Sequence, residues 1–142
     1  MSLGYLLYWI TLCSLFACIG LGMEVAFTAT RNVLFRKNKS GMGYSSIWYA
    51  PLYACAPVFF FLFHTWLFAF PWFLRGLLYV ASIFAVEYCG MSALRILLGK
   101  SPSESEYRRS RWNIHGLIRL DYAPLWFLAG FAFEYAFLFI SL

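Results

Sequence analysis

LGYLLYWITLCSLFACIGLGM, residues 3–23, is a run of 21 residues without a charge, and its reading decides what kind of protein this is. Coiled as a helix it is about 31 Å long, the thickness of a bilayer's hydrocarbon core. It lacks the basic start of a cleaved leader, overruns the usual leader length and leads straight into further structure. The rest of the chain has the same character, with 63% of its 142 residues hydrophobic, 23% aromatic and 12% charged. A soluble domain is about half apolar and about a quarter charged. The class expected is therefore all-α: a polytopic membrane protein with no room for a soluble catalytic domain.

Working outward from that run, the charge-free stretches and their breakers predict a single four-helix transmembrane domain over residues 1–142. The helices are expected at about 3–33, 46–70, 74–98 and 117–142, joined by loops at about 34–45 and 99–116 and by a tight turn at Pro71–Trp72. Pro51 and Pro57 predict a kink in, or a late start to, the second helix. Basic residues follow the first helix (Arg36, Lys37, Lys39) and the third (Lys100, Arg108, Arg109, Arg111), whereas Arg75 lies at the opposite side. The bias of such residues toward the cytoplasm predicts both termini outside and both basic loops cytoplasmic, in the cell membrane. It also accounts for most of the +5 net charge, so anionic headgroups rather than nucleic acid are the partner implied. Cys13, Cys18, Cys55 and Cys89 all fall inside expected helices without a Cys-x-x-Cys pair, which favours packing over disulfides or zinc.

The charges inside the spans carry the functional reading. A charge near the bilayer centre costs about 2.5 to 3.5 kcal/mol on insertion scales, so such residues pair, face the bundle interior or line a wet cavity. Counting along the helices, Glu24, Glu87, Arg95 and Asp121 are expected in one layer of the cytoplasmic half. Gly20, Glu24 and Thr28 share a stripe at spacings of four, and Gly130 and Glu134 repeat the small-then-acid pattern toward the outer side. Glu24, Thr28, Glu87, Arg95, Asp121 and Tyr122 are thus the candidate binding residues, with Arg95 tuning the acids and Thr28 and Tyr122 donating hydrogen bonds. His64 and Glu134, with Arg75 at the turn, form a candidate outer pair. The competing reading makes these charges ion pairs between helices, such as Glu87 with Arg95 or Glu24 with Arg31. An aspartyl dyad of Asp121 with Glu24 or Glu87 is the enzymatic variant.

Other chemistry finds little footing. Gly99-Lys100-Ser101 resembles the end of a phosphate loop, but Leu94 stands where that loop needs its first glycine, so no direct ATP binding is expected. His115 in NIHG has no ligand at metal spacing, no cofactor is implied, and there is no nucleophile elbow.

Four stretches carry a resemblance: GMEVAFTA (22–29), GMGYSSIWYAPLYA (41–54), RGLLYVASIFAVEYCG (75–90) with Arg95, and GLIRLDYAPLWFLAGFAFE (116–134). In order and spacing they resemble the ABC-transporter type IV (CmpB-like) membrane protein family, including the transmembrane protein 229 group. The likeness covers almost the whole chain. It points to Glu24, Phe27, Thr28, Ser46, Trp48, Tyr53, Arg75, Tyr79, Glu87, Arg95, Gly116, Asp121, Tyr122, Trp126 and Glu134. Where relatives often carry Trp-Asp-Tyr before the last helix, this chain has Ser105-Glu106-Tyr107.

Three functions compete at this stage. The leading one is a small integral membrane protein binding a cation, a proton or a polar lipid headgroup in transport or its regulation, as a homo-oligomer or with a partner membrane protein. The others are a membrane-embedded lipid-modifying enzyme and a structural or assembly subunit without substrate.

Overall fold

In the computed structural model, residues 2–37 and 39–141 are described; Asn38, in the first basic loop, and Leu142, the expected end of the last helix, lie outside them. The regular elements of the described chain are helices and one two-stranded ladder: α1 (Leu3–Phe35), a 3-10 turn (Ile47–Tyr49), α2 (Ala50–Ala54), α3 (Ala56–Leu67), α4 (Trp72–Leu98), α5 (Glu104–Tyr107), β1 (Asn113–Ile114), β2 (Ile118–Arg119), a second 3-10 turn (Leu120–Tyr122) and α6 (Ala123–Ser141). Among the described residues, four stretches are long and apolar enough to cross a membrane: Leu3–Phe35, Ile47–Leu67, Trp72–Leu98 and Leu120–Ser141. Only 17% to 28% of the most apolar window of each is buried within the protein. Residues such as Ile96 and Phe139, more than four-fifths exposed, therefore need another apolar medium to cover them. The chain is an integral membrane protein, and lipid is that medium.

Helix boundaries follow the local chemistry. Ser2 caps α1, its hydroxyl accepting from Tyr5 N–H at 3.3 Å. The second span is in three pieces, Pro51 lying in the first turn of α2 and Pro57 near the start of α3; proline lacks the N–H that would carry one helix through. Pro71 is the N-cap of α4, which starts at Trp72, two residues before the expected boundary. Gly99, at φ +76°, ends α4 in the left-handed conformation that glycine adopts without penalty.

The largest departure from expectation is at the last span, where residues 117–122 are not α-helical. His115 (φ +54°) and Gly116 (φ +71°) both take positive φ, as the centre of a tight hairpin turn requires. Leu117 N–H closes the turn on Ile114 C=O at 2.9 Å, and Asn113 Oδ1 accepts from Gly116 N–H at 2.8 Å. Leu117 is spent on that turn and Ile118 and Arg119 on the ladder, paired as Ile114↔Ile118 and Asn113↔Arg119. The helix proper waits until Ala123.

The chain forms two compact units, residues 2–58 and 59–141. In the first, a Cβ on Gly20 would lie 2.1 Å from the Tyr53 ring, and one on Gly43 2.0 Å from Val25 C=O. The glycines let α2 and the 42–45 segment lie against α1. In the second, a Cβ on Gly76 would lie 2.1 Å from the Phe127 ring and one on Gly130 2.4 Å from Tyr79 Cβ, so α4 and α6 meet at glycine on both sides. Phe16, Met91 and Tyr79 are among the most buried side chains.

Gly130→Ala should lower resistance to unfolding in detergent by about 1 to 3 kcal/mol, because Tyr79 Cβ is fixed to its backbone and α4 must move away. Gly22→Ala, with nothing within 4 Å of the new Cβ, should be neutral or slightly stabilising. Equal loss in the two variants would refute this packing account.

Candidate functional site

Along α1 the polar stripe runs one member further than the sequence reading took it: Gly20, Glu24, Thr28 and Asn32 follow at intervals of four. An extended segment, Met42–Ser45, runs back along that stripe. Asn32 Nδ2 donates to Met42 C=O at 3.0 Å, Thr28 Oγ1 lies 2.8 Å from both the C=O and the N–H of Tyr44, and Ser45 Oγ donates to Glu24 Oε2 at 2.7 Å. The register has a simple origin, since four helical residues rise about 6 Å and two extended residues about 6.6 Å. The step of four from Asn32 to Thr28 thus meets a step of two on the strap, Met42 to Tyr44, whereas the next step of four, to Glu24, is met one residue on, by the Ser45 side chain. Thr28 is accordingly engaged with the strap backbone instead of donating to an acid, and Arg31 Nη2 donates to Tyr44 OH at 3.0 Å.

Glu24 terminates this ladder. Tyr53 OH, brought in over Gly20, donates to the same Oε2 at 3.2 Å. Two hydroxyl donors on one oxygen suit an acceptor-only carboxylate. Among the described residues no lysine or arginine pairs with Glu24, and its Oε1 accepts from none of them. The half-buried group lies about 32 Å along α1 from Leu3, close to the thickness of a hydrocarbon core.

Glu134, in the second unit, is built on the same plan. Four residues before it, Gly130 admits the Tyr79 ring, and Tyr79 OH donates to Glu134 Oε2. Here a cation completes the set: Arg75 Nε stands 3.0 Å from Glu134 Oε2 as an ion pair, with side chains 14% and 2% exposed. Its guanidinium also lies 4.6 Å from the Phe68 ring centroid and 5.6 Å from that of Phe131. Arg75 thus joins Glu134 as expected, but His64 sits against the rings of Phe68 and Phe137, and among the described residues no polar partner is found for it.

The remaining expected members are each held by a different partner. Tyr107 OH donates to Glu87 Oε1 at 2.9 Å, both residues being buried. Arg95 turns to Glu104 Oε2 at 3.0 Å and to His115 C=O at 2.6 Å. Asp121 is exposed and bonded to Arg119 at 2.5 Å. Tyr122 OH accepts from Arg119 Nη1 at 3.1 Å, with the guanidinium 4.3 Å from its ring centroid.

Sequence reasoning missed Glu104, the hub of the polar segment. It accepts from Arg95, from Arg108 at 2.7 Å and from Ser101 N–H at 3.2 Å. The Ser101-x-x-Glu104 spacing before α5 is the signal that could have found it. Arg108 first, then the Ser101 amide and Arg95, hold its carboxyl down at about 2, from an ordinary value of 4.5. Among the described residues, no three His, Cys, Asp or Glu side chains group as metal ligands would.

No family model, curated protein or solved structure matches the chain.

Two outcomes test this geometry. Arg75→Met should destabilise the protein by about 3 to 5 kcal/mol, because it strands a buried carboxylate, and Tyr79→Phe by about 1 kcal/mol, read as loss of folded protein on detergent extraction. Glu104 has a depressed folded pKa, so its contribution is complete above about 4.5 and is lost as pH falls toward about 2. Protection from hydrogen exchange over residues 99–119, taken relative to the intrinsic exchange rate at each pH, should fall across that interval in the wild type, and be low and flat with pH in Glu104→Gln.

Proposed function

We propose that this small integral membrane protein binds a cation at Glu24, with the Ser45 and Tyr53 hydroxyls orienting the carboxylate, as part of transport or its regulation. One observation carries the reading. The glycine, glutamate and tyrosine arrangement occurs twice, and the cation that the chain itself supplies at Glu134, Arg75, has no counterpart among the described residues at Glu24. A carboxylate at the edge of a low-dielectric region is stabilised by a proton, a metal ion or an ammonium. The positions of Glu24, Thr28 and Tyr53 within the stretches resembling the ABC-transporter type IV (CmpB-like) family, including the transmembrane protein 229 group, are in keeping with this. A transporter of that label would draw any ATP use from a partner.

The orientation proposed has both termini outside and both basic loops in the cytoplasm of the cell membrane, supported by the placement of Arg36, Lys37, Lys39, Lys100, Arg108, Arg109 and Arg111 against Arg75 alone. Glu24 then faces the cytoplasmic boundary. Four helices enclose little space, so passage of a solute would involve a second copy or a partner membrane protein.

A second reading is favoured by the strap itself. Thr28 and Asn32 hold it without charge, so Glu24 could be a third structural tie in an assembly subunit that has no substrate. Glu24→Gln separates the two, because an amide oxygen still accepts from Ser45 and Tyr53. In proteoliposomes with an imposed gradient of protons, sodium or methylammonium, the cation reading expects wild-type uptake or binding of one of these, reduced about tenfold or more in Glu24→Gln, with insertion unchanged. Wild-type behaviour in the glutamine variant with all three probes would defeat the cation reading, and a failure to insert would favour the structural tie.

A further inference from the structure

We infer that the folded segment between α4 and α6 is an interfacial anchor for anionic phospholipid, with Arg109 and Arg111 contacting headgroup phosphates and Trp112 and Leu120 entering the boundary layer beneath them. The chemistry differs from that at Glu24, and the inference stands without it.

The placement comes from the ladder. Leu120, the first residue of the fourth span, donates its N–H to Trp112 C=O at 3.0 Å. Trp112 is thereby tied to the level where the chain enters the apolar layer, the level that tryptophan prefers. Both side chains are exposed, Trp112 by 54% and Leu120 by 40%. The Arg111 guanidinium lies 5.7 Å from the Trp112 ring centroid, which sets a cation beside the apolar pair.

Charge accounting supplies the partner. Glu104 is committed to Arg95 and Arg108, and Asp121 to Arg119. Exposed Lys100, Arg109 and Arg111 have no carboxylate partner among the described residues. Three exposed cations without an ion-pair partner among the described residues, one of them beside the exposed Trp112, on a segment attached at both ends to membrane spans, are placed to meet phosphate. The segment is also stiff enough to present them: Tyr107 is pinned to Glu87 and His115 Nδ1 to Tyr88 OH at 2.9 Å.

The test uses the full chain in phosphatidylcholine bilayers containing spin-labelled phosphatidylglycerol or spin-labelled phosphatidylcholine, comparing how strongly each label is retained at the protein surface. Wild type should prefer phosphatidylglycerol, and the double variant R109Q/R111Q should lose about fivefold of that preference for each arginine replaced. R109K/R111K should keep it, and raised ionic strength should erase it in the wild type. An unchanged preference in the glutamine double variant, or one that persists in the wild type at high salt, would overturn the inference. Loss of the preference on adding millimolar inorganic phosphate at constant ionic strength would also overturn it, in favour of a discrete anion pocket. If the glutamine variant does not insert, the salt and phosphate series on wild type still decide.

Discussion

A carboxylate on a membrane-spanning helix must be answered from within the protein, because hydrocarbon offers it no hydrogen bond. In this chain the answer is local and repeated. A glycine one turn before the acid opens a slot, a tyrosine from the packed neighbour fills it, and the phenol reaches the carboxylate. One device serves two ends: the glycine allows the close helix approach on which packing without a hydrophobic drive depends, and the tyrosine that exploits it satisfies the acid. Packing and polarity are solved by the same pair of residues.

The spans and most of their ends were legible because they depend on short-range chemistry. Absence of charge over about 20 residues is a property of the chain itself, and so are the interruptions at Pro57 and Pro71 and the left-handed stop at Gly99. The start of the last helix was not legible from apolar character alone, since Leu117 and Ile118 are as suited to a helix as to a ladder. The positive φ of His115 and Gly116 decides for the ladder, and NIHG was read for its histidine rather than for its turn.

Candidate site residues were harder to read than spans for a related reason. Periodicity says which residues share a face but not what returns to meet that face. Glu87 and Arg95 lie on one side of α4, yet the chain reversal after Gly99 brings Tyr107 to the first and Glu104 to the second. Asp121, counted as an early residue of a helix, is instead in a 3-10 turn beside Arg119 and satisfied at the surface. Gly20, Glu24 and Thr28 were visible as a stripe. Extending it to Asn32 would have shown a polar edge of three side chains, and such an edge on a membrane helix calls for an extended partner rather than another helix.

The same polar edge bears on how Glu24 can function. Its three members hold the strap through three kinds of bond: amide to carbonyl at Asn32, hydroxyl to backbone at Thr28, and carboxylate to hydroxyl at Glu24. Only the last changes with charge, because a carboxylate that gains a proton, or shares its lone pairs with a metal ion, offers Ser45 and Tyr53 a weaker acceptor. Under the proposed function, occupancy at Glu24 would therefore be coupled to the hold on Ser45, whereas the bonds at Thr28 and Asn32 carry no such dependence. The strap would be anchored at one end irrespective of a bound cation and released or held at the other according to it. A binding event at one carboxyl group would then be expressed as movement of the residues that lead into the 3-10 turn and α2, which is the form a regulatory contact within the first unit would take.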